Sequence, residues 1–313
     1  MIKVKWVKQG IVYCSQGEYD WNASHAAVPF AERAEGGRYR VYFTGRDLKN
    51  RSQIGFLELD LKEPSQIQYL TPEPLVRVGK PGAFDDSGAM MSWLVTVQEK
   101  KFLYYVGWNL GVTVPFRNSA GLAISQDAGA SYCKFSAGPI LDRDTCDPYG
   151  ATNPCVLVEG GVWRMWYLAC VEWRLEQGNL KHYYHIKYAE SPDGLRWKKT
   201  GIVCIDFQSA EEYAISRPCV IKNGDLYRMW YSTRGKSYRI GYAESKDGLY
   251  WTRKDEEVGI GASDSGWDSE MVCYAHVFDH EGTLRMVYNG NDYGKAGFGL
   301  AILGEEESLA RSV

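Results

Sequence analysis

The side chains with chemistry to offer are carboxylates that recur in phase. Each lies 20 residues ahead of an aromatic anchor: Asp85 before Tyr105, Asp147 before Tyr167, Glu211 before Tyr231 and Asp268 before Tyr288. A fifth acid, Asp20, lies 23 residues ahead of Phe43, and a second marker fixes its place: it follows Gly10 by ten residues, as Glu211 follows Gly201. A lone acid before a strand is a turn residue. Five in phase suggest a shared site, because Asn, Ser or Gly would serve a turn as well. Carboxylates gathered in one place repel one another, which raises some of their pKa values and suits a pair to general acid and base work.

The anchors belong to a recurring octet, residues 39–46, 101–108, 163–170, 227–234 and 284–291, spaced by 62, 62, 64 and 57 residues. A fixed period sets the fold. Each octet is aromatic and apolar in the manner of a strand. Another apolar run precedes each one (26–32, 89–97, 153–158, 217–222, 271–278) and a third follows (53–59, 120–125, 185–190, 239–244, 297–303). Ser-Pro-Asp-Gly at 191–194 and Ser-Lys-Asp-Gly at 245–248 then introduce a fourth, and Asp-Gly between strand-like runs is a hairpin signal. One repeat is a four-stranded antiparallel meander. Five of them predict an all-β, five-bladed β-propeller in a single domain, 1–313. The last repeat lacks its fourth strand. Residues 4–13 match 195–204 in character, so 3–8 are expected to supply the outer strand of the fifth blade and close the ring.

Other polar residues fall near the same rim. His25, Asn153, Arg217 and His276 lie in or near the inner strands, and Arg46, Trp108, Arg234 and Asn291 end their octets. Acids, a few cations and aromatic walls suit a carbohydrate. The arginines with His25 also suit an anionic sugar or a phosphate, unless they only neutralise the acid ring. Asp85 and Asp268 are expected to bind hydroxyls; a channel cation such as calcium is the alternative. No other cofactor is expected.

Bulk properties narrow the partners. The net charge of −3 makes no electrostatic case for nucleic acid or an anionic membrane. No apolar run is long enough to span a bilayer, and the first residues lack a signal-peptide core. The eight cysteines include no CxxC pair, and Cys155 and Cys219 occupy equivalent inner-strand places. Reduced thiols in a cytoplasmic protein are the expectation.

The strings Ser216-Arg-Pro218, 227–231 and 242–251 give the chain a family likeness. It resembles the five-bladed propeller glycosidases of glycoside hydrolase family 43, their relatives in families 32 and 68, and the family 130 phosphorylases. The resemblance implies essential acids from blades one, three and four, here Asp20, Asp147 and Glu211. Asp147 is followed by Pro148, as in the invertase-like members, whereas Asp20 and Glu211 lack the family's flanking residues. Glu212 competes with Glu211, and phase favours Glu211. The expected chemistry is cleavage, transfer or phosphorolysis of a glycosidic bond. Glu211 would be the acid, Asp20 the base or nucleophile, and Asp147 the group that orients the sugar. The competing class is a non-catalytic carbohydrate-binding propeller, since a fold alone does not establish chemistry.

Overall fold

Aromatic and β-branched runs joined by glycine-bearing turns form antiparallel sheets here. The computed structural model describes residues 5–304. Its regular structure is strands and short 3-10 turns, with no α-helix among the described residues and hence no helix long and apolar enough to cross a membrane. After β1 (Lys5–Tyr13) come four antiparallel sheets of four strands each, joined edge to edge by single parallel bridges into one continuous 16-stranded sheet, and a fifth that stands apart. The first is β2 (Ser24–Arg33), β3 (Tyr39–Arg46), β4 (Ser52–Leu59) and β5 (Ile67–Leu70). The second is β6 (Gly88–Val97), β7 (Lys100–Leu110), β8 (Phe116–Ser125) and β9 (Cys133–Lys134). The third is β10 (Ala151–Glu159), β11 (Val162–Glu176), β12 (Asn179–Ser191) and β13 (Lys198–Ile205). The fourth is β14 (Ala214–Asn223), β15 (Leu226–Arg234), β16 (Tyr238–Ser245) and β17 (Thr252–Arg253). The fifth holds β18 (Cys273–His280), β19 (Thr283–Asn289) and β20 (Phe298–Gly304), and takes β1 as its outer strand, Trp6 opposite Leu303. Residues 3 and 4 of the expected closing strand, and the acidic run 305–307, lie outside the described residues.

Each octet is the second strand of its sheet, and its anchor is sealed: Phe43, Tyr105, Tyr167, Tyr231 and Tyr288 are at most 1% exposed. Burying such a ring contributes about 2 kcal/mol or more, so the octets are the core of the sheets. The Asp-Gly turns reach beyond their own sheet. Ser191 Oγ and Ser245 Oγ hold the turn aspartates at 2.9 Å, and Gly194 and Gly248 take the positive φ that the turn needs. The freed carbonyl of Gly194 accepts from Tyr104 Oη of the second sheet, and that of Gly248 from Trp166 Nε1 of the third.

The first strands β2, β6, β10, β14 and β18 lie side by side in cyclic order, with β18 returning to β2. Each carries a bulge, seen as a register slip between Ala27 and Phe30, Met91 and Trp93, Thr152 and Cys155, Ser216 and Cys219, and Cys273 and His276. At four bulges a non-glycine residue has positive φ: Val28, Asn153, Arg217 and Tyr274. Bulges re-aim side chains and free backbone groups. The neighbouring sheets answer those groups. Thr44 Oγ1 accepts from Met91 N, Ser232 Oγ from Tyr274 N, and Asn289 Oδ1 from Val28 N. Cys155 Sγ and Cys219 Sγ accept the amides of Val220 and Val277. The equivalent inner-strand cysteines are thus acceptors between sheets, and the eight cysteines are free thiols.

Candidate functional site

The acid ring divides into three structural carboxylates and two free ones. Asp85 accepts from Tyr105 Oη at 3.0 Å and pairs with Lys134 at 2.5 Å. Asp147 accepts from Tyr167 Oη at 2.9 Å and pairs with Lys187 at 2.8 Å and Lys199 at 3.1 Å. Asp268 accepts from Tyr288 Oη at 3.0 Å and pairs with Lys8 at 2.7 Å. All three are at most 2% exposed. Lys134, Lys199 and Lys8 sit on outer strands opposite Ala123, Ala189 and Ala301, so each triad pins the loop before a first strand to the far edge of the same sheet. The acids face outward along their sheets instead of converging on the axis. Asp147, expected to orient substrate, and Asp85 and Asp268, expected to bind hydroxyls, are engaged in these triads. Burial opposes the charge on Asp268, yet its bonds to Lys8, Ser263 and Tyr288 hold its pKa below the usual carboxylate range.

The other two sheets break the pattern for identifiable reasons. Phe43 has no hydroxyl, and Trp21 packs on it at 5.3 Å, so an apolar contact replaces the triad and Asp20 stays exposed. In the fourth sheet Tyr231 Oη donates to Asp255 at 2.5 Å. Arg253, opposite Ala243 on the outer strand, binds both Asp255 and Glu212. Thr233 also donates to Glu212 at 2.7 Å. Glu212 therefore has a fixed structural role, and Glu211 remains an exposed carboxyl without a partner among the described residues.

A cavity of about 130 Å³ lies on the shared centre, since Val28, Met91, Asn153, Ser216 and Tyr274 bring all five first strands to its wall. Aromatic groups make most of one side: Phe116, Tyr149, Trp173, Tyr184, Tyr238 and Tyr274. Tyr184 and Tyr238 share a hydroxyl contact of 2.5 Å. The hairpin β11–β12 is the longest in the molecule and carries Trp173 and His182 over the cavity, where both meet Phe116 edge-on at 5.1 and 5.3 Å. His182 stacks on Tyr184 at 4.9 Å, and burial, with the charges of Arg234 and Lys181, pushes its pKa down to about 4. Asn118, Thr152, Asn153 and Ser216 supply neutral polar groups, and Arg117 a cation. No carboxylate among the described residues lines the cavity. A wider groove of about 600 Å³ runs between the first two sheets, but its Arg40 is already paired with Glu58.

Arg217 is fully buried and crosses the floor, donating to the carbonyls of Ser92 and Pro29 on sheets that are not its neighbours. Burial pushes its pKa down to about 10. His276 accepts the Ala31 amide on Nδ1 and stacks on Phe30 at 3.8 Å, and burial keeps it neutral, so it forms a joint between sheets. Trp108 is likewise tied to Ser52 by Nε1 at 3.3 Å, and Asn291 Oδ1 accepts the amides of Glu270 and Met271. Of the residues expected to bind substrate, Asn153 lies on the cavity wall and holds Ser92 Oγ at 3.1 Å. His25, Arg46 and Arg234 are not part of the wall: Arg234 packs on Tyr238, and Arg46 lies near Tyr274 with His25 beside it. Burial and the Arg46 charge push His25 down to about 4. Among the described residues no group of three or more His, Cys, Asp or Glu side chains is arranged to hold a metal ion, so the calcium alternative has no donor set there.

Sequence reasoning expected aromatic walls but did not name the residues that form them. Their signal is positional: Asn118, Tyr184 and Tyr238 each stand opposite the last residue of an octet, across from Trp108, Cys170 and Arg234.

No protein-family model matches the chain. It is 43% identical over 298 residues to the uncharacterized proteins MT1551 and Rv1502 of Mycobacterium tuberculosis, covering 95% of this chain and 99% of each of them. Among solved structures, the BT0996 complex with RGII superposes with a TM-score of 0.73 at 17% identity, over 100% of this chain and 94% of that one. A thermostable family-43 glycoside hydrolase gives 0.65 at 17% identity, over 90% and 88%. The GH32 beta-fructofuranosidase of Bombyx mori gives 0.61 at 13% identity, over 91% and 65%. At these identities the likeness is one of fold.

Proposed function

Because the chain belongs to one family with these two mycobacterial proteins and shares its fold with glycoside hydrolases, we propose that it is a carbohydrate-active, five-bladed β-propeller. The observation that carries this reading is the cavity wall. Trp173, Tyr184, Tyr238 and Tyr274 offer faces for the apolar side of a sugar ring, beside the amides and hydroxyls of Asn118, Thr152, Asn153 and Ser216 for its hydroxyl groups. The cyclic order of the first strands and the closure by β1 support the five-bladed reading. The RGII named for one neighbour supports a glycan as the ligand class.

For the chemistry, Asp20 and Glu211 are the two ring acids left free; both are exposed and precede first strands, outside the cavity wall. Glu211 is the general acid of this reading, with Asp20 as base or nucleophile. A gap of roughly 6.5–9.5 Å between them in the loaded enzyme would mean inversion, and about 5 Å retention. The absence of a carboxylate from the cavity wall favours a second reading, binding without turnover. A panel of nitrophenyl glycosides and oligosaccharides tests both. As an enzyme, the protein loses about a thousandfold or more in kcat through E211Q or D20N while keeping its affinity. Turnover that survives both substitutions removes these acids from the mechanism. Binding with no turnover by the unaltered protein establishes the second reading.

A further inference from the structure

The cavity is surrounded by positive charge that the acid ring does not answer. Lysines of the third and outer strands neutralise Asp85, Asp147 and Asp268, and Arg253 neutralises Glu212. The rim arginines are therefore not counter-ions of the ring. Arg234 is packed among the rings of Tyr213, Tyr238 and Tyr293 at 5.3, 5.3 and 5.4 Å. Its Nε is buried without a hydrogen-bond partner, and no carboxylate pairs with it among the described residues. Arg46, half-buried beside Tyr274, has only the Asn50 amide oxygen at 2.9 Å. Arg117 lines the wall itself, beside a neutral His182. Arg217 lies beneath, bonded to carbonyls and to no acid. In a chain with net charge −3, this concentration of unanswered cations belongs to one place.

Resting on the carbohydrate reading above, we propose that the sugar bound in this cavity is anionic, a sugar phosphate or a uronic acid, and that Arg234 and Arg46 grip its charged group. A guanidinium presents a planar fork that matches a phosphate or carboxylate edge with two parallel hydrogen bonds. Half-buried guanidinium groups bear a desolvation cost that a bound anion would offset. Burial already draws the pKa of Arg46 below the usual range, in keeping with a missing counter-charge. The tyrosine rings around Arg234 hold its plane by cation–π contact and leave its terminal nitrogens for a ligand. Arg46 and Arg234 end the octets of the first and fourth sheets; Arg234 packs on Tyr238 and its charge reaches His182, Arg46 lies near Tyr274, and these three rings line the cavity.

The test is calorimetric titration of the full chain with glucose, glucose 6-phosphate, glucuronate and inorganic phosphate at two salt concentrations. A panel of neutral oligosaccharides is run alongside. The expected result is at least tenfold tighter binding of an anionic sugar than of glucose, weakened by salt. R234M and R46M each remove most of that preference, R234K restores only part of it, and circular dichroism reports an unchanged fold. Which of glucose 6-phosphate and glucuronate binds tighter identifies the anion. Neutral sugars bound as tightly as anionic ones, with no effect of R234M, overturn the anion grip and leave the carbohydrate reading intact. Inorganic phosphate bound in an R234M-sensitive manner, with every sugar inert, retains the grip and sinks the carbohydrate reading. Silence from all the probes overturns both.

Discussion

At the scale of single residues, the lesson of the acid ring is that repetition marked scaffold. Asp147 recurs in phase with Asp85 and Asp268 because each sheet needs the same tie between a tyrosine hydroxyl and an outer-strand lysine. D147N leaves Lys187 and Lys199 without their buried counter-charge and should cost about 3–5 kcal/mol. Y167F removes one hydrogen bond and should cost about 1 kcal/mol, both read from denaturant unfolding. Loss of cavity ligand binding in Y167F without loss of stability would contradict the structural assignment. The Asp268 pair also predicts a pH dependence. Its carboxyl has a folded pKa below its unfolded value, so its contribution to stability is complete above the unfolded pKa, near 4, and fades as pH falls through the folded one. D268N should therefore lower Tm at pH 7 and flatten the decline in Tm between about pH 5 and 2; a parallel decline in both proteins would count against it. The free acids were legible only as members of the ring. What sets them apart is local: Phe43 in place of tyrosine is written in its octet, but its effect on Asp20, and the claim of Arg253 on Glu212, show only once the strands are paired.

At the scale of elements, the octets and their flanking runs were legible because a sealed aromatic anchor and a Gly-bearing turn leave a strong pattern. The first-strand bulges were not. A bulge is one residue long and shows itself as a slip in pairing, and its requirements are met by a neighbouring sheet more than 40 residues away, as in the bond from Met91 N to Thr44 Oγ1. The long hairpin β11–β12 was hidden for a related reason. Its extra length lies between the octet and the following run, where the period absorbs it, and so Trp173 and His182 escaped notice. The thiol joint gives a test at this scale. C219A leaves the Val277 amide buried without an acceptor and should cost about 1–3 kcal/mol, while C219S, whose hydroxyl also accepts, should recover most of that loss. Equal stability of the two variants in urea unfolding would mean that the sulfur is only filling space.

For the whole molecule, closure depends on which strand completes the fifth sheet, not on where that strand falls in the chain. β1 runs antiparallel to β20, with Lys5 opposite Gly304, so the two ends already meet as the arms of a hairpin would. It covers the edge of β20, brings Trp6 against Trp230 at 6.2 Å, and carries Lys8 to Asp268. Removing residues 5–13 discards all three contributions at once and bares a strand edge that templates association. Such a truncation should lose cooperative unfolding or aggregate. A circular permutant should not. If Gly304 is joined to Lys5 by a short Asn-Gly turn and the chain is opened at Ser15, so that it ends at Cys14, every sheet retains its four strands in the same register. Its Tm should stay within about 5 °C of the parent, corresponding to a loss of around 1–2 kcal/mol. A permutant that fails to fold would show that β1 must be present before the other sheets assemble. The ring would then be built by order of folding and not by pairing alone.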